Sequence, residues 1–255
     1  LCYEKISPCT LSERERETLY AEIKDVMLAA ASAIQSQEAE KSWVEEVIDA
    51  RRKEGPDAYN FILVKDNGEL VGVFGYRLAD LCGRRCLEMV SGYLLPGYQK
   101  YGIGLAVSAR LLFSALASRP GGSVFVLIEV MNPVVVAGWR ERIPNPESLY
   151  PSLAGSRQNP TLTRVAQEFM RSRSDYSSFD ACTGVIHGAH LSRASQRDVC
   201  SDRVVSEYFR AHVDHAAGDT LLMIIDGSRS NLVRAAGQLI RAIPRSLLRS
   251  IRIRD

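Results

Sequence analysis

Residues 86–106 read Cys86-Leu87-Glu88-Met89-Val90-Ser91-Gly92-Tyr93-Leu94-Leu95-Pro96-Gly97-Tyr98-Gln99-Lys100-Tyr101-Gly102-Ile103-Gly104-Leu105-Ala106. The stretch starts as an apolar run ending at Leu95, with the length of a buried strand. Pro96 and Gly97 break the run. After Gln99-Lys100-Tyr101-Gly102-Ile103-Gly104 an amphipathic helix opens, carrying Leu105, Val107, Ala109, Leu111, Leu112 and Leu116. The order is strand, glycine loop, helix N-terminus. Such a junction presents unpaired backbone N–H groups and the positive end of a helix dipole, which together favour a phosphate. Gly102 and Gly104 let the backbone approach that phosphate without a Cβ between them.

Two common phosphate binders do not fit. The Rossmann fingerprint needs three glycines and an acidic residue about 20 positions on. Here Gly121-Gly122 stands where that acid is sought. The P-loop needs Gly-Lys-Ser/Thr, which is absent. The stretch resembles instead the signature of the GNAT acyltransferase superfamily, Gln/Arg-x-x-Gly-x-Gly/Ala after a strand ending near a proline. The resemblance implies that Gln99, Lys100, Tyr101, Gly102, Ile103, Gly104 and Leu105 hold the pyrophosphate of coenzyme A. It also implies that Leu94 and Leu95 pair with the pantetheine arm as if it were another strand. The plain alternative is a strand-to-helix turn that uses glycine for its own geometry. The strand before, the helix after and the segment that follows favour the phosphate reading.

A chain of 255 residues makes one large domain or two small ones and can bury a core without staples. Hydrophobic residues are 46% and charged residues 24%, as in ordinary globular proteins. A net charge of +2 gives no overall field to recruit nucleic acid. The charge is unevenly spread: Glu13 to Glu54 holds 11 acids and seven bases, and Arg229 to Asp255 holds seven arginines and one acid. Those arginines read either as a contact for nucleic acid or an acidic carrier protein, or, by default, as a solvated helix face. No run of 18 apolar residues occurs, so no membrane span is expected. The first 20 residues are too charged for a signal peptide. The six cysteines lack framework spacing and read as reduced thiols of a cytoplasmic protein. Cys82 and Cys86 flank a turn expected at Gly83-Arg84-Arg85, and two free thiols are expected there.

In chain order, residues 11–34 read as a helix, with Ser12 and Glu15 at capping-box spacing and a stripe of Leu19, Ile23, Val26, Ala30 and Ile34. Residues 41–53 form a second helix, with Trp43, Val47 and Ile48 inward. Strands are expected at 60–65 and 70–78, joined by the turn signal Asp66-Asn67-Gly68. Pro120-Gly121-Gly122 ends the loop helix. Ser123–Met131 is a buried strand. Asn132 then caps a short helix with Pro133 at its first position. Residues 143–160, with Pro144, Pro146, Pro151 and Pro160, read as irregular. Further elements are a helix at 161–173, a strand at 181–190, a helix at 203–216, a strand at 219–226 and a helix at 228–243.

The family resemblance adds roles. An asparagine at the end of the second strand commonly meets the pantetheine amide, and Asn132 matches it. Many members carry a tyrosine seven residues later that protonates the departing thiolate. This chain has Trp139, whose indole N–H is no useful acid. The backbone N–H of Leu95 is the oxyanion donor by the same analogy. Glu129 is the first candidate base, because a carboxylate inside Phe125–Met131 is costly unless used or paired. Some relatives acting on peptide amines carry a glutamate there. The alternative is an edge-facing or salt-bridged glutamate. Glu88 is the second candidate, and Tyr93 on the same strand offers a hydroxyl. The pairs His187/His190 and His212/His215 raise zinc, but a spacing of three on a strand puts 187 and 190 on opposite faces. Only 212 and 215 could share a helix face, so no metal is expected.

The expected fold is α/β, a mixed and mostly antiparallel twisted sheet flanked by helices. One domain spans 1–255, with a core at 11–142 and an elaborated C-terminal half at 143–255. The expected function is coenzyme A-dependent N-acyl transfer, most simply from acetyl-CoA to a small-molecule amine, by direct attack in a ternary complex. Two alternatives stand beside it: an acyl-carrier-protein-dependent N-acyl synthase, and a non-catalytic acyl-thioester-binding module.

Overall fold

A computed structural model describes residues 1–31, 44–45, 47–49, 52–99, 102–117, 124–143, 145–153, 155, 157–173, 178–189, 200–228, 231, 233, 237 and 252–254. In chain order its elements are β1 (Cys2–Ile6), α1 (Glu13–Ala31), β2 (Asn60–Asp66), β3 (Glu69–Leu81), β4 (Arg84–Leu94), α2 (Ile103–Ala117), β5 (Val124–Val130) and α3 (Pro133–Arg142). There follow β6 (Leu149–Tyr150), α4 (Pro160–Arg171), β7 (Ser178–Asp180), β8 (Val185–His187), α5 (Arg203–His212), β9 (Thr220–Gly227) and β10 (Arg252–Arg254). The chain divides into two compact units, one of residues 1–77, 89–110 and 239–255, the other of 78–88 and 111–238.

In the first unit the strands lie in the order β10-β1-β2-β3-β4. β1 runs antiparallel to β2, with Tyr3 opposite Val64, and parallel to β10. β2 and β3 are antiparallel, joined through Asn67 and Gly68 at φ 49° and 92°, the two positive values that a two-residue hairpin turn requires. α1 opens on the expected capping box: Ser12 N–H donates to Glu15 Oε2 at 2.8 Å and Glu15 N–H to Ser12 Oγ at 3.4 Å. Leu19, Ile23, Val26 and Met27 of α1 then pack on Phe61, Leu63 and Val73 of the sheet, together with Val44 and Ile48. Burying each such side chain stabilises the fold by about 1.5–3 kcal/mol.

The second unit continues the ends of β3 and β4 with β5-β9-β8-β7, and β6 pairs β9. β5 and β9 are antiparallel, as are β8 and β9, and β7 and β8. Phe125, Leu127, Leu222 and Ile224 form one face and pack against Leu162, Val165, Ala166 and Phe169 of α4. The architecture is the expected mixed, mostly antiparallel sheet flanked by helices.

Several boundaries differ from the sequence reading. β1 is an additional strand. Pro160 belongs to α4 as its first residue, because the Asn159 side chain caps Thr161 N–H at 3.0 Å. The strand expected at 181–190 is a hairpin: β7 ends at Asp180, whose carboxylate accepts Cys182 N–H at 2.8 Å, and Gly184 at φ 71° turns the chain into β8. α5 ends at His212, after which Ala216 and Ala217 N–H groups turn onto the Asp214 carboxylate. Ile34, Trp43, Gly121, Gly122, Ser123, Pro144 and nearly all of the helix expected at 228–243 lie outside the described residues. Among the described residues no helix is long and apolar enough to cross a membrane.

Candidate functional site

The strand–loop–helix junction forms as its sequence implies. Leu95 N–H donates to the Val71 carbonyl at 3.0 Å, so this donor is used inside the sheet and is no spare oxyanion donor. Pro96–Tyr98 makes one 3-10 turn, and the Tyr98 hydroxyl anchors it on Asp66 at 2.8 Å. The Gln99 side-chain amide donates back to the Leu94 carbonyl at 3.0 Å. Gly102 has φ 72°, a left-handed conformation that favours glycine, and its carbonyl accepts the first helical bond from Ala106 N–H at 3.0 Å. The N–H groups of residues 103–105 precede that bond, and the first turn of α2 carries no acid to compete for them. Ile103 is fully buried and fixes the helix start. Among the described residues a Cβ on Gly104 would meet only the Phe74 ring, at 3.7 Å, which leaves room at the helix end. Leu94, Leu95, Gln99, Gly102, Ile103 and Gly104 therefore share one junction, while Lys100 and Tyr101 lie outside the described residues.

A feature not read from the sequence shapes this junction. β3 and β4 join through Cys82-Gly83, at φ 51° and 70°, a two-residue turn that sets Leu81 opposite Arg84. A regular ladder from there would set Val71 opposite Leu94. Leu95 occupies that place, and Gly92 lies against Phe74, whose ring a Cβ would meet at 2.9 Å. β4 therefore holds one extra residue. Val90, Tyr93 and Leu95 all pack on the α1 cluster, and the odd step from 90 to 93 locates the bulge between them. The bulge turns the Leu94 backbone away from β3. The signal available in the sequence was Gly92, a lone glycine inside a strand run.

At the other end of β5, Asn132 caps α3 as expected, its side chain accepting Val134 N–H at 2.9 Å. Trp139 is buried on α3. Glu129 accepts a hydrogen bond from the Thr220 hydroxyl at 3.0 Å, and Thr220 is fully buried. This contact gives the carboxylate a structural reason to interrupt the apolar run. Glu88 is buried and paired with Arg173 at 2.6 Å, and the Arg173 guanidinium lies over the Phe169 ring at 5.3 Å. Tyr93 is half-buried beside Val90 and Leu95 on the α1 cluster.

The histidines separate. His190 lies outside the described residues. His212 lies tilted against the Tyr208 ring, centroids 4.6 Å apart, and His215 sits in the turn after α5, buried 6.0 Å from the Phe209 ring, so the two do not share a helix face. Among the described residues no group of three or more His, Cys, Asp or Glu is arranged to hold a metal ion. All six cysteines are free. Burial pushes the Cys86 thiol up to about 12, and Cys82 is raised by burial and by its hydrogen bond to Glu168. His187 meets a partner that the sequence reading did not weigh: its Nδ1 lies 3.0 Å from Asp219 Oδ2.

Residues 19–135 match the model of the Acetyltransferase (GNAT) family, from the body of α1 to the first turn of α3. No curated protein matches the chain. Among solved structures, a GNAT-family acetyltransferase from Desulfovibrio desulfuricans is 13% identical, with 55% of this chain and 81% of that one covered and a TM-score of 0.39. The PaiA N-acetyltransferase of Thermoplasma acidophilum, solved with coenzyme A, is 18% identical, with 55% and 88% covered and a TM-score of 0.38. A GNAT-family acetyltransferase from Brucella melitensis, solved with acetyl-CoA, is 16% identical, with 49% and 74% covered and a TM-score of 0.34. Residues 19–135, a little under half of the chain, are thus similar to the GNAT acetyltransferase family.

Proposed function

We propose that the protein is a coenzyme A-dependent N-acyltransferase that moves an acyl group, acetyl in the simplest case, onto the amine of a small molecule by direct attack in a ternary complex. The observation that carries this reading is the start of α2: left-handed Gly102, N–H groups ahead of the first helical bond, no acid in the first turn and room above Gly104. A diphosphate suits such a helix end. Residues 99–105 would hold it, and the Leu94 carbonyl, turned from β3 by the bulge, would accept from an amide of the pantetheine arm once the Gln99 amide moves aside. When bound, the co-substrate supplies the activated acyl group. Residues 11–142 serve as the acyl-transfer core and 143–255 as the elaboration that shapes the acceptor pocket.

Calorimetry with coenzyme A and thiol release from acetyl-CoA test the reading. It expects saturable binding and amine-dependent release, and a protein that does neither is not an acyltransferase. A second reading, a non-catalytic acyl-thioester binder, is favoured by Trp139 standing buried where many relatives carry an acidic tyrosine. It expects binding without thiol release. An acyl-carrier-protein donor would show as turnover with acylated carrier protein and none with acetyl-CoA.

A further inference from the structure

We propose that Gln99 is a built-in latch on the coenzyme A site. Its side-chain carboxamide occupies the backbone acceptor that an amide of the pantetheine arm would use, and it lets go before the arm docks. The inference rests on the coenzyme A reading above. Its parts all lie in the first compact unit, within residues 66–77 and 89–99.

The acceptor is fixed by its own peptide unit. Leu95 N–H donates to the Val71 carbonyl of β3 at 3.0 Å. The Leu94 carbonyl belongs to the same trans peptide, so it points the opposite way, off β3. The Leu94 side chain fills the space that a Cβ on Gly72 would take, with the Tyr93 carbonyl 3.0 Å from that point. Hydrogen bond and packing together hold this peptide still. The donor arrives by a turn. Tyr98 N–H donates to the Leu95 carbonyl at 2.8 Å, and the Tyr98 hydroxyl ties the turn to Asp66 at 2.8 Å. Gln99 follows in helical conformation, φ −67° and ψ −25°. From there its exposed side chain folds back over five residues, and Nε2 donates to the Leu94 carbonyl at 3.0 Å.

A carboxamide N–H is the same kind of donor as the amide N–H of the arm. The chain thus offers a copy of its ligand's polar group to its own strand end. In the empty protein the copy keeps the carbonyl paired, and on binding one amide N–H replaces another on the same oxygen. The exchange has a cost to the ligand. The usual net weight of one such hydrogen bond leaves the open form at about 7–30% of the molecules, which weakens any arm-bearing ligand by about 3–13-fold. A ligand that carries phosphates and no arm does not meet the latch.

The test is calorimetry of the parent, Gln99→Met and Gln99→Ala with coenzyme A, pantetheine and adenosine 3′,5′-bisphosphate. Methionine keeps the length of the side chain and has no N–H to donate; alanine removes the reach as well. Both variants should bind coenzyme A and pantetheine about 3–13-fold more tightly than the parent, and the bisphosphate with parental affinity. Unchanged affinity for coenzyme A would mean that the carbonyl accepts both donors at once, and a loss would make Gln99 a ligand contact. Either result overturns the latch and leaves the coenzyme A reading intact. An equal gain for the bisphosphate also overturns it, since the effect would then belong to the loop and not to the amide acceptor. A parent that binds no coenzyme A overturns both.

Discussion

The Glu88 carboxylate and the Arg173 guanidinium lie 2.6 Å apart, with side chains only 5% and 12% exposed. They come from β4 and from the segment just past α4, 85 residues apart in sequence. The Glu88 carboxylate thus has a buried structural partner. Its weight lies in stability. Arg173→Met should destabilise the fold by about 3–5 kcal/mol, because it strands a buried charge. Joining Glu88→Leu to it should recover most of that loss. Urea unfolding of the three variants checks this, and a double variant no better than the single one would refute it.

Gly104 offers the cleaner probe of the phosphate cradle. Gly102→Glu would also force a side chain onto a left-handed backbone, costing about 1–2 kcal/mol. Gly104 has no such conformation, and among the described residues a Cβ there meets only Phe74, at 3.7 Å. Gly104→Glu should therefore keep or slightly raise the melting temperature, since an acid suits a helix N-terminus. Coenzyme A binding by calorimetry should disappear. Retained binding at the parental affinity would move the site elsewhere.

Glu129→Gln keeps an oxygen for the Thr220 hydroxyl. Turnover should fall by much less than the roughly 10²–10⁴-fold that loss of a general base costs. A drop of that full size, shrinking as pH rises, would make Glu129 the base.

The thiols should react in order of exposure and charge. Cys9 and Cys182 are exposed and should be modified first by Ellman's reagent at pH 8. Cys86, pushed up to about 12, should react only on unfolding. Because its folded value lies above its unfolded value of about 8.5, its contribution to stability is whole below that pH and is lost as pH rises toward the folded value. Tyr150 and Tyr208 are raised by burial and act in the same direction. Glu168, held low first by the Cys82 thiol and then by its N–H, acts oppositely: its contribution is present above about 4.3 and is lost as pH falls through its lower folded value. Stability should be level in between and decline on both sides, as denaturant midpoints against pH would report. A stability still climbing above pH 9 would contradict the alkaline arm.

What could be read from the sequence was whatever a few neighbouring residues decide. Ser12 with Glu15, Asn67 with Gly68, and Asn132 with Pro133 each carry their own hydrogen bond or dihedral, and each appears where expected. The strand, loop and helix of residues 86–106 are local in the same sense. β1 was missed because its five residues alternate weakly and find their partner in β2, far along the chain. The His187–Asp219 contact spans 32 residues and exists only because β8 and β9 pair in one register. Glu129 looked like a base because a lone acid in an apolar run signals cost. The relief of that cost, Thr220, lies 91 residues away.

The extra residue in β4 has a genetic corollary. Removing the single codon for Ser91 would take out that one extra residue and let Gly92 and Leu95 keep Phe74 and Val71 of β3 as neighbours. Such a deletion changes no side chain of the loop and acts through the bend. Whatever ligand affinity that protein lost would measure how much of the site is made of strand shape alone.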